Sequence, residues 1–211
     1  MANINRPKGL SPTQNTDGTP WSQGATLFAI ASDASNTYAI GDIVAAAAGG
    51  DANGVPYVTK WSGTVAANNL PVGVIVGIRV ADPGVSLVGT TLALNTIYLP
   101  LNSGTRYVYV VDDPSVIFQV TGDSTGVAAA DVFKNAGLTI TADQTSLSQS
   151  SPLSSTVLNA SSFLAIGSSG SLALPLQIIG LVQASNNAPG AYAQALVKWN
   201  KHQFLNPVGT A

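Results

Sequence analysis

The stretch "VYVVDDPSVIFQV" (residues 108–120) places two adjacent carboxylates between two runs of strand-forming residues. No other neighbouring pair of carboxylates occurs in the chain. In an extended strand successive side chains point to opposite faces, so Asp112 and Asp113 would not converge on one substrate. Pro114 biases the residue before it toward extended geometry, and Asp side chains cap turns through nearby backbone groups. The stretch therefore predicts a strand–turn–strand corner rather than a catalytic pair or a metal site.

The composition favours strands over helices. The 211 residues are 45% apolar, which is enough for a sizeable core, but only 9% are charged, against about 25% in an ordinary soluble domain. All ten acidic residues are Asp, and Lys plus Arg number eight. The chain is rich in Val, Ile, Thr, Gly, Asn and Pro, which favour strands and turns. The predicted fold class is all-β, as a β-sandwich or a barrel-like (jelly-roll or tulip-like) domain.

Strand signals alternate with turn signals along most of the chain. The predicted strands are 25–32, 38–46, 50–61, 71–80, 96–101, 105–111, 115–121, 137–141, 171–185 and 191–204. Alternation in 71–80 predicts one shared face for Val72, Val74, Val76, Ile78 and Val80. "VIVGIRVAD" (74–82) resembles "QIIGLVQAS" (177–185), but the likeness is too short to establish a duplication.

Three parts are predicted: an extended arm (1–24), a single β domain (25–204) and a short tail (205–211). The arm is rich in Pro and Gly and lacks apolar periodicity. It is either a frayed terminus or a segment that orders on a partner, with Trp21 as an anchor. The Ser- and Thr-rich tract 141–162 predicts a surface loop, and Ala128–Lys134 predicts a helical turn or a loop.

Several classes of function are disfavoured. A net charge of −2 without a basic stripe argues against nucleic-acid binding, and the absence of Cys excludes disulfides. No secretory or membrane-spanning segment is predicted. "DANG" (51–54) and "GDSTG" (122–126) resemble calcium-loop fragments but are predicted to be turns. The single histidine, His202, is predicted on the polar face of a strand, so no catalytic, metal or cofactor site is predicted.

Three segments form a pattern when they are taken together: "MANINRPKGL" (1–10), "YVYVVDDPSVIFQV" (107–120) and "QIIGLVQASNNAPGAYAQALVKWNKHQF" (177–204). Together they resemble a group of tailed-bacteriophage virion proteins, the capsid decoration (cement) and minor structural proteins. The group pattern has an Asn-Arg-Pro start, an Asp-Asp-Pro turn before an aromatic strand and a closing Asn-x-His-Gln. Here these correspond to Asn5-Arg6-Pro7, Asp112-Asp113-Pro114 and Asn200-Lys201-His202-Gln203.

The resemblance implies a non-enzymatic virion protein that binds the outer surface of a phage capsid and bridges coat subunits. The implied partners are the major capsid protein and further copies of the chain, with a homotrimer favoured and with no nucleic acid or membrane. The implied location is the capsid exterior, after assembly in the bacterial host cytoplasm. The interface candidates are Arg6, Lys8, Trp21, Lys198 and Asn200.

Two other interpretations remain open. A receptor- or glycan-binding spike or head-fibre module would share the β fold and the polar surface. A hydrolase is disfavoured by the single histidine and the absence of Glu. The fold alone does not decide among these functions.

Overall fold

The computed structural model describes residues 3–30, 36–66, 69–79, 98–99, 106–140 and 153–205. The strands are β1 (Ser11–Asn15), β2 (Thr26–Ile30), β3 (Tyr38–Ala39), β4 (Ile43–Gly50), β5 (Pro56–Lys60), β6 (Pro71–Arg79), β7 (Tyr98–Leu99), β8 (Arg106–Val111), β9 (Val116–Thr121), β10 (Asn135–Thr139), β11 (Val157–Leu164), β12 (Leu176–Leu181) and β13 (Gln194–Trp199). Within these ranges the helical elements are two 3₁₀ turns, Ala129–Asp131 and Ser171–Ala173. The all-β prediction is confirmed.

Two sheets make up most of the molecule. A closed barrel has the strand order β2-β5-β4-β6-β8, and a six-stranded sheet has the order β1-β9-β13-β12-β10-β11. Residues 112–115 connect β8, the last strand of the barrel, to β9 in the other sheet. The stretch 108–120 therefore connects the two sheets.

The core has two parts, one inside the barrel and one between the barrel and the six-stranded sheet. One cluster draws on every strand of the barrel and fills its interior: Phe28, Ile30, Val44, Val58, Val72, Ile75, Val108 and Val110, with Tyr38. A larger cluster joins the six-stranded sheet to the outside of the barrel, because it combines Phe118, Val197 and Trp199 with Ile43 and Val74. The apolar area that this cluster buries holds the two sheets together.

The predicted single face of 71–80 is wrong. Val74 and Val76 contact the larger cluster, whereas Val72 and Ile78 contact the barrel interior. Within β6, Val72 has no paired residue on β4, and Val76 has no paired residue on β8. Each of these bulges adds one residue and reverses the alternation, which the period-two pattern could not reveal. Val80 lies outside the described residues.

The chain contains two units of the same topology. We call β2, β4, β5, β6 and β8 the N-terminal unit and β9 to β13 the C-terminal unit. In each, the first strand pairs with the fifth, the fifth with the fourth, the fourth with the second and the second with the third, all antiparallel. In each, the third strand also meets the first or its immediate extension in parallel, at Ala29↔Tyr57 and at Gly122↔Leu158.

The two units also share local details. Ile75 exchanges backbone hydrogen bonds with Gly41 and Asp42, and Ile178 exchanges them with Phe133 and Lys134. Gly41 and Phe133 both have positive φ, at 93° and 69°. In β6 and in β12 the register shifts at the residue directly before Gly77 or Gly180. The short sequence likeness between 74–82 and 177–185 therefore falls on equivalent strands.

The predicted arm is corrected over part of its length. Ser11–Asn15 pairs with β9 as an edge strand, and Leu10 is buried in the larger cluster. The chain then turns back, and the Trp21 N–H donates to the Thr13 carbonyl. Pro12 did not exclude a strand here, because an edge strand leaves one side of its backbone unpaired.

The predicted loop at 141–162 is also corrected. β11 occupies its last part, residues 157–162, with Leu158 fully buried, because apolar residues at 157, 158, 163 and 164 pack on β10 and the core. Residues 141–152 lie outside the described part, as do residues 206–211 of the predicted tail. The 3₁₀ turn at Ala129–Asp131 agrees with the helical-turn alternative for 128–134.

Candidate interaction surface

The two carboxylates of the corner, Asp112 and Asp113, accept hydrogen bonds from different parts of the chain. Asp113 Oδ1 accepts hydrogen bonds from the Ser115 N–H at 2.8 Å and the Ser115 hydroxyl at 2.7 Å. Asp112 Oδ1 accepts one from the Thr26 hydroxyl at 3.1 Å, on the first strand of the barrel. Asp113 thus caps the turn, while Asp112 ties the corner to β2. With Pro114 between Asp113 and Ser115, the geometry is that of a structural turn.

In both loops that resemble calcium-loop fragments, the aspartate carboxylate accepts hydrogen bonds from backbone N–H groups. Asp51 Oδ1 accepts the N–H groups of Asn53 and Val55, and the hydrogen bond from the Tyr107 hydroxyl lowers the pKa of Asp51. Asp123 accepts three backbone N–H groups, from Thr125, Gly126 and Ala160. Across the described residues, no group of three or more acidic or histidine side chains is placed to hold a metal ion.

The prediction for His202 is wrong, because its side chain is fully buried rather than on a polar strand face. β13 ends at Trp199, and the next two N–H groups both donate to the Pro175 carbonyl, which turns the chain inward. Burial lowers the pKa of His202 to about 4, while the Val72 backbone and the charges of Asp112 and Asp113 act in the opposite direction. Its Nδ1 accepts the Phe204 N–H at 3.2 Å, as a neutral ring can.

An ion pair is buried beside the barrel. Lys60 Nζ lies 3.0 Å from Asp42 Oδ2 and also donates to the Thr37 carbonyl, and both side chains are almost fully buried. Asp42 also accepts the Ala39 N–H at 2.9 Å and the Ser154 hydroxyl. This cluster links β3, β4, β5 and the segment before β11. Because its charges are paired and hydrogen-bonded, the cluster fits a structural role.

Arg6 and Lys8 have different surroundings. Arg6 is exposed at the rim of a recess of about 260 Å³, beside the loop that leads into β13. Lys8 is half-buried, and its backbone carbonyl packs closely against Gly41. Of the two predicted cations, Arg6 is therefore the better placed to meet a partner.

Trp21 lies at a wider groove of about 520 Å³ between the N-terminal segment and the outside of the barrel. Tyr109, which is 38% exposed, and Gly77 line the opposite wall. Trp21 also packs against the larger core cluster, and its Nε1 donates to the Gly24 carbonyl at 3.3 Å. It is thus an anchor of its own segment with one part left open to the groove.

Lys198 and Asn200 lie two positions apart at the end of β13, and their side chains have different surroundings. Lys198 shares the outer face of β13 with Gln194, about 13 Å along the strand. The Asn200 side chain donates to the Leu174 carbonyl at 2.7 Å and so holds the end of the strand. The five predicted residues therefore do not form one patch: Arg6 borders the recess beside the start of β13, Lys198 and Asn200 lie at the other end of that strand, and Trp21 lines a separate groove.

Sequence reasoning missed an exposed apolar group on the C-terminal unit. Phe133, Ile166 and Leu172 are each more than 60% exposed. Their segments meet at Asn135, which pairs with Leu164 and donates to the Ser171 carbonyl. Phe133 also has a left-handed backbone, which a β-prone sequence pattern does not indicate.

No protein-family model matches the chain, and no curated protein is significantly similar to it. Among the residues that the structure describes, no helix is long and apolar enough to span a membrane.

Proposed function

We propose that the chain is a non-enzymatic structural protein of a bacteriophage virion, which binds the outer surface of the capsid and bridges coat subunits. The observation that carries the proposal is the combination of a charge-poor all-β exterior with an N-terminal segment that is hydrogen-bonded to β9, to the loop before β13 and, through the Leu10 N–H, to the Gly41 carbonyl before β4. The resemblance of three segments to capsid decoration proteins supports the same function. Few charged groups lose water when such an exterior is covered, which favours broad contact with another protein.

Oligomerisation would make modest contacts sufficient. A homotrimer on the capsid exterior would touch several coat subunits at once, and the effective concentration of its second and third sites would make the combined attachment strong. The partners would then be the major capsid protein and further copies of this chain. Chemistry at a catalytic centre has no part in this function.

The direct experiment is co-sedimentation of the purified protein with capsid shells that lack it. We expect saturable binding at a fixed ratio to the coat protein, together with a higher temperature of shell disruption. If the protein binds neither expanded nor unexpanded shells, the proposal is contradicted. Binding without any gain in shell stability would contradict its stabilising part.

A second function is favoured by one observation, the groove between Trp21 and Tyr109. Aromatic faces in an open groove are suited to the apolar face of a sugar ring, as in a receptor- or glycan-binding module of the virion. A glycan array separates the two functions. Specific glycan binding that Trp21→Ala abolishes, with no shell binding, would favour the receptor-binding function.

A further inference from the structure

The N-terminal segment and the loop before β13 form one rigid recess. Asn3 Nδ2 donates to the carbonyls of Ala188 and Ala191 at 2.7 and 2.8 Å, and Asn3 Oδ1 accepts the Ala188 N–H at 3.0 Å. Three hydrogen bonds therefore fasten residue 3 to a loop 185 positions away. This clamp positions Arg6 at the recess, which Ile4 and Gln194 also line.

The loop side of the recess is equally constrained. Asn187 Nδ2 donates to the carbonyls of Val182 and Gln194, and its Oδ1 accepts the Gln194 N–H at 2.7 Å. Tyr192 has a φ of 57°, an unfavourable backbone for a bulky residue, and its N–H donates to the Asp123 carbonyl. Strain of this kind persists only where the surroundings impose it, and it is frequent at binding sites. The recess is thus preformed.

The donors that line the recess fall into two groups. The Asn3 and Asn187 side chains already donate hydrogen bonds within the fold, whereas the Gln194 side chain accepts one from Gln119. The Arg6 guanidinium, the Asn186 amide and the Tyr192 hydroxyl line the same recess, and among the described residues they form no hydrogen bond or ion pair. None of the described residues that line the recess carries a carboxylate. The recess therefore offers one positive charge and further donors without a negative charge to balance them.

We infer that this recess binds a carboxylate group. One guanidinium matches one negative charge and can hold both carboxylate oxygens in a bidentate pair, with the amide and the phenol as additional donors. A phosphate dianion would lack a second cation among the lining residues. The volume of about 260 Å³ admits a side chain but not a large ligand. The source of the carboxylate rests on the proposed function: an Asp or Glu side chain of the coat protein.

The first test uses the free protein and a small probe. Titration with N-acetyl-aspartate N-methylamide should shift the amide NMR signals of Tyr192 and Gln194 with millimolar affinity, and the uncharged asparagine analogue should not. Arg6→Gln should weaken this binding at least tenfold. Lys201→Gln, which removes the same charge at the opposite end of β13, should leave it unchanged. Equal shifts from both probes, or an undiminished response in Arg6→Gln, would overturn the inference.

The second test uses capsid shells and separates this inference from the proposed function. Arg6→Gln should weaken co-sedimentation at least tenfold, Arg6→Lys should restore part of it because the charge returns without the bidentate fork, and Lys201→Gln should bind as the unaltered protein does. If the unaltered protein does not bind shells but the probe result holds, the proposed function and this source of the carboxylate fail while the site stands. If shells bind Arg6→Gln normally, the coat carboxylate is overturned while the proposed function stands.

Discussion

His202 is a neutral histidine enclosed by Trp199, Phe204 and the start of β6. Because it is the only histidine, its protonation can be observed separately at pH values above the range in which aspartates titrate. Its folded pKa of about 4 lies below the unfolded value of 6.5. The unfolded chain therefore takes up a proton first as the pH falls, and the folded state loses stability from about pH 6.5 down to about pH 4.

We predict a loss of roughly 2–3 kcal/mol in the free energy of unfolding between pH 7 and pH 4.5, from a shift of that size. Urea unfolding at a series of pH values measures it. His202→Gln should be less stable at pH 7 but should show a nearly flat profile across this window. If the unaltered protein were equally stable at both pH values, the burial of a neutral imidazole would be contradicted.

The buried pair of Asp42 and Lys60 provides a second test at the level of single residues. Asp42→Asn should destabilise the fold by about 3–5 kcal/mol, because it leaves the Lys60 ammonium buried without its counter-charge. The control is Asp131→Asn, which removes the partly exposed pair with Lys134 and should cost about 1 kcal/mol or less. Chemical denaturation at pH 7 compares the two; equal losses would show that the Asp42 site is solvated.

At the scale of elements, the two units have very different residues, Gly41 and Phe133, at the same backbone position. Gly41 is covered by the N-terminal segment, and a Cβ there would lie 2.2 Å from the Lys8 carbonyl oxygen. Phe133 has the same left-handed backbone, but its side chain is 63% exposed. One unit thus uses glycine because of close packing, and the other accepts strain at an open surface.

Substitutions at these two positions should change stability in opposite directions. Phe133→Gly should stabilise the fold by about 0.5–1 kcal/mol, since it relieves the left-handed backbone and loses little packing. Gly41→Ala should destabilise it by more than that, since both φ and the Lys8 carbonyl oppose a Cβ. Thermal and urea unfolding of both variants measure the difference. A destabilised Phe133→Gly would show that the exposed ring makes contacts that offset the strain.

The sequence allowed most strands to be predicted, because turns such as 51–54 and alternation such as Ala193 to Trp199 are local signals. β1 and β11 were missed, because each is stabilised by contacts distant in sequence, with β9 and with β10. The bulges in β6 were missed for the same reason. Arg6 was predicted as an interface residue, but the clamp that positions it joins Asn3 to residue 188 and leaves no local signal.

At the scale of the whole molecule, the two units share one core. Ile43, Val74 and Val111 of the N-terminal unit belong to the same cluster as Phe118 and Val197 of the C-terminal unit. Separating the units would expose this apolar surface to water. We therefore predict one cooperative thermal transition, with equal calorimetric and van't Hoff enthalpies. Two resolved transitions in scanning calorimetry would show that the units fold independently.

The shared core also bears on the proposed function. A protein that bridges coat subunits must transmit force between its contacts, and two units joined by a common apolar core resist separation better than two units joined by a linker. The recess with Arg6 and the groove with Trp21 lie on different parts of the surface, so one chain could contact more than one coat subunit.

The most direct test of the proposed function is the molar ratio of this protein to the major coat protein in purified phage particles, determined by quantitative mass spectrometry. The bridging function predicts a ratio of the same order as the coat protein, because every local contact between capsomers needs a copy. A few copies per particle would contradict it and would favour a receptor-binding module. Absence from the particle would contradict both functions.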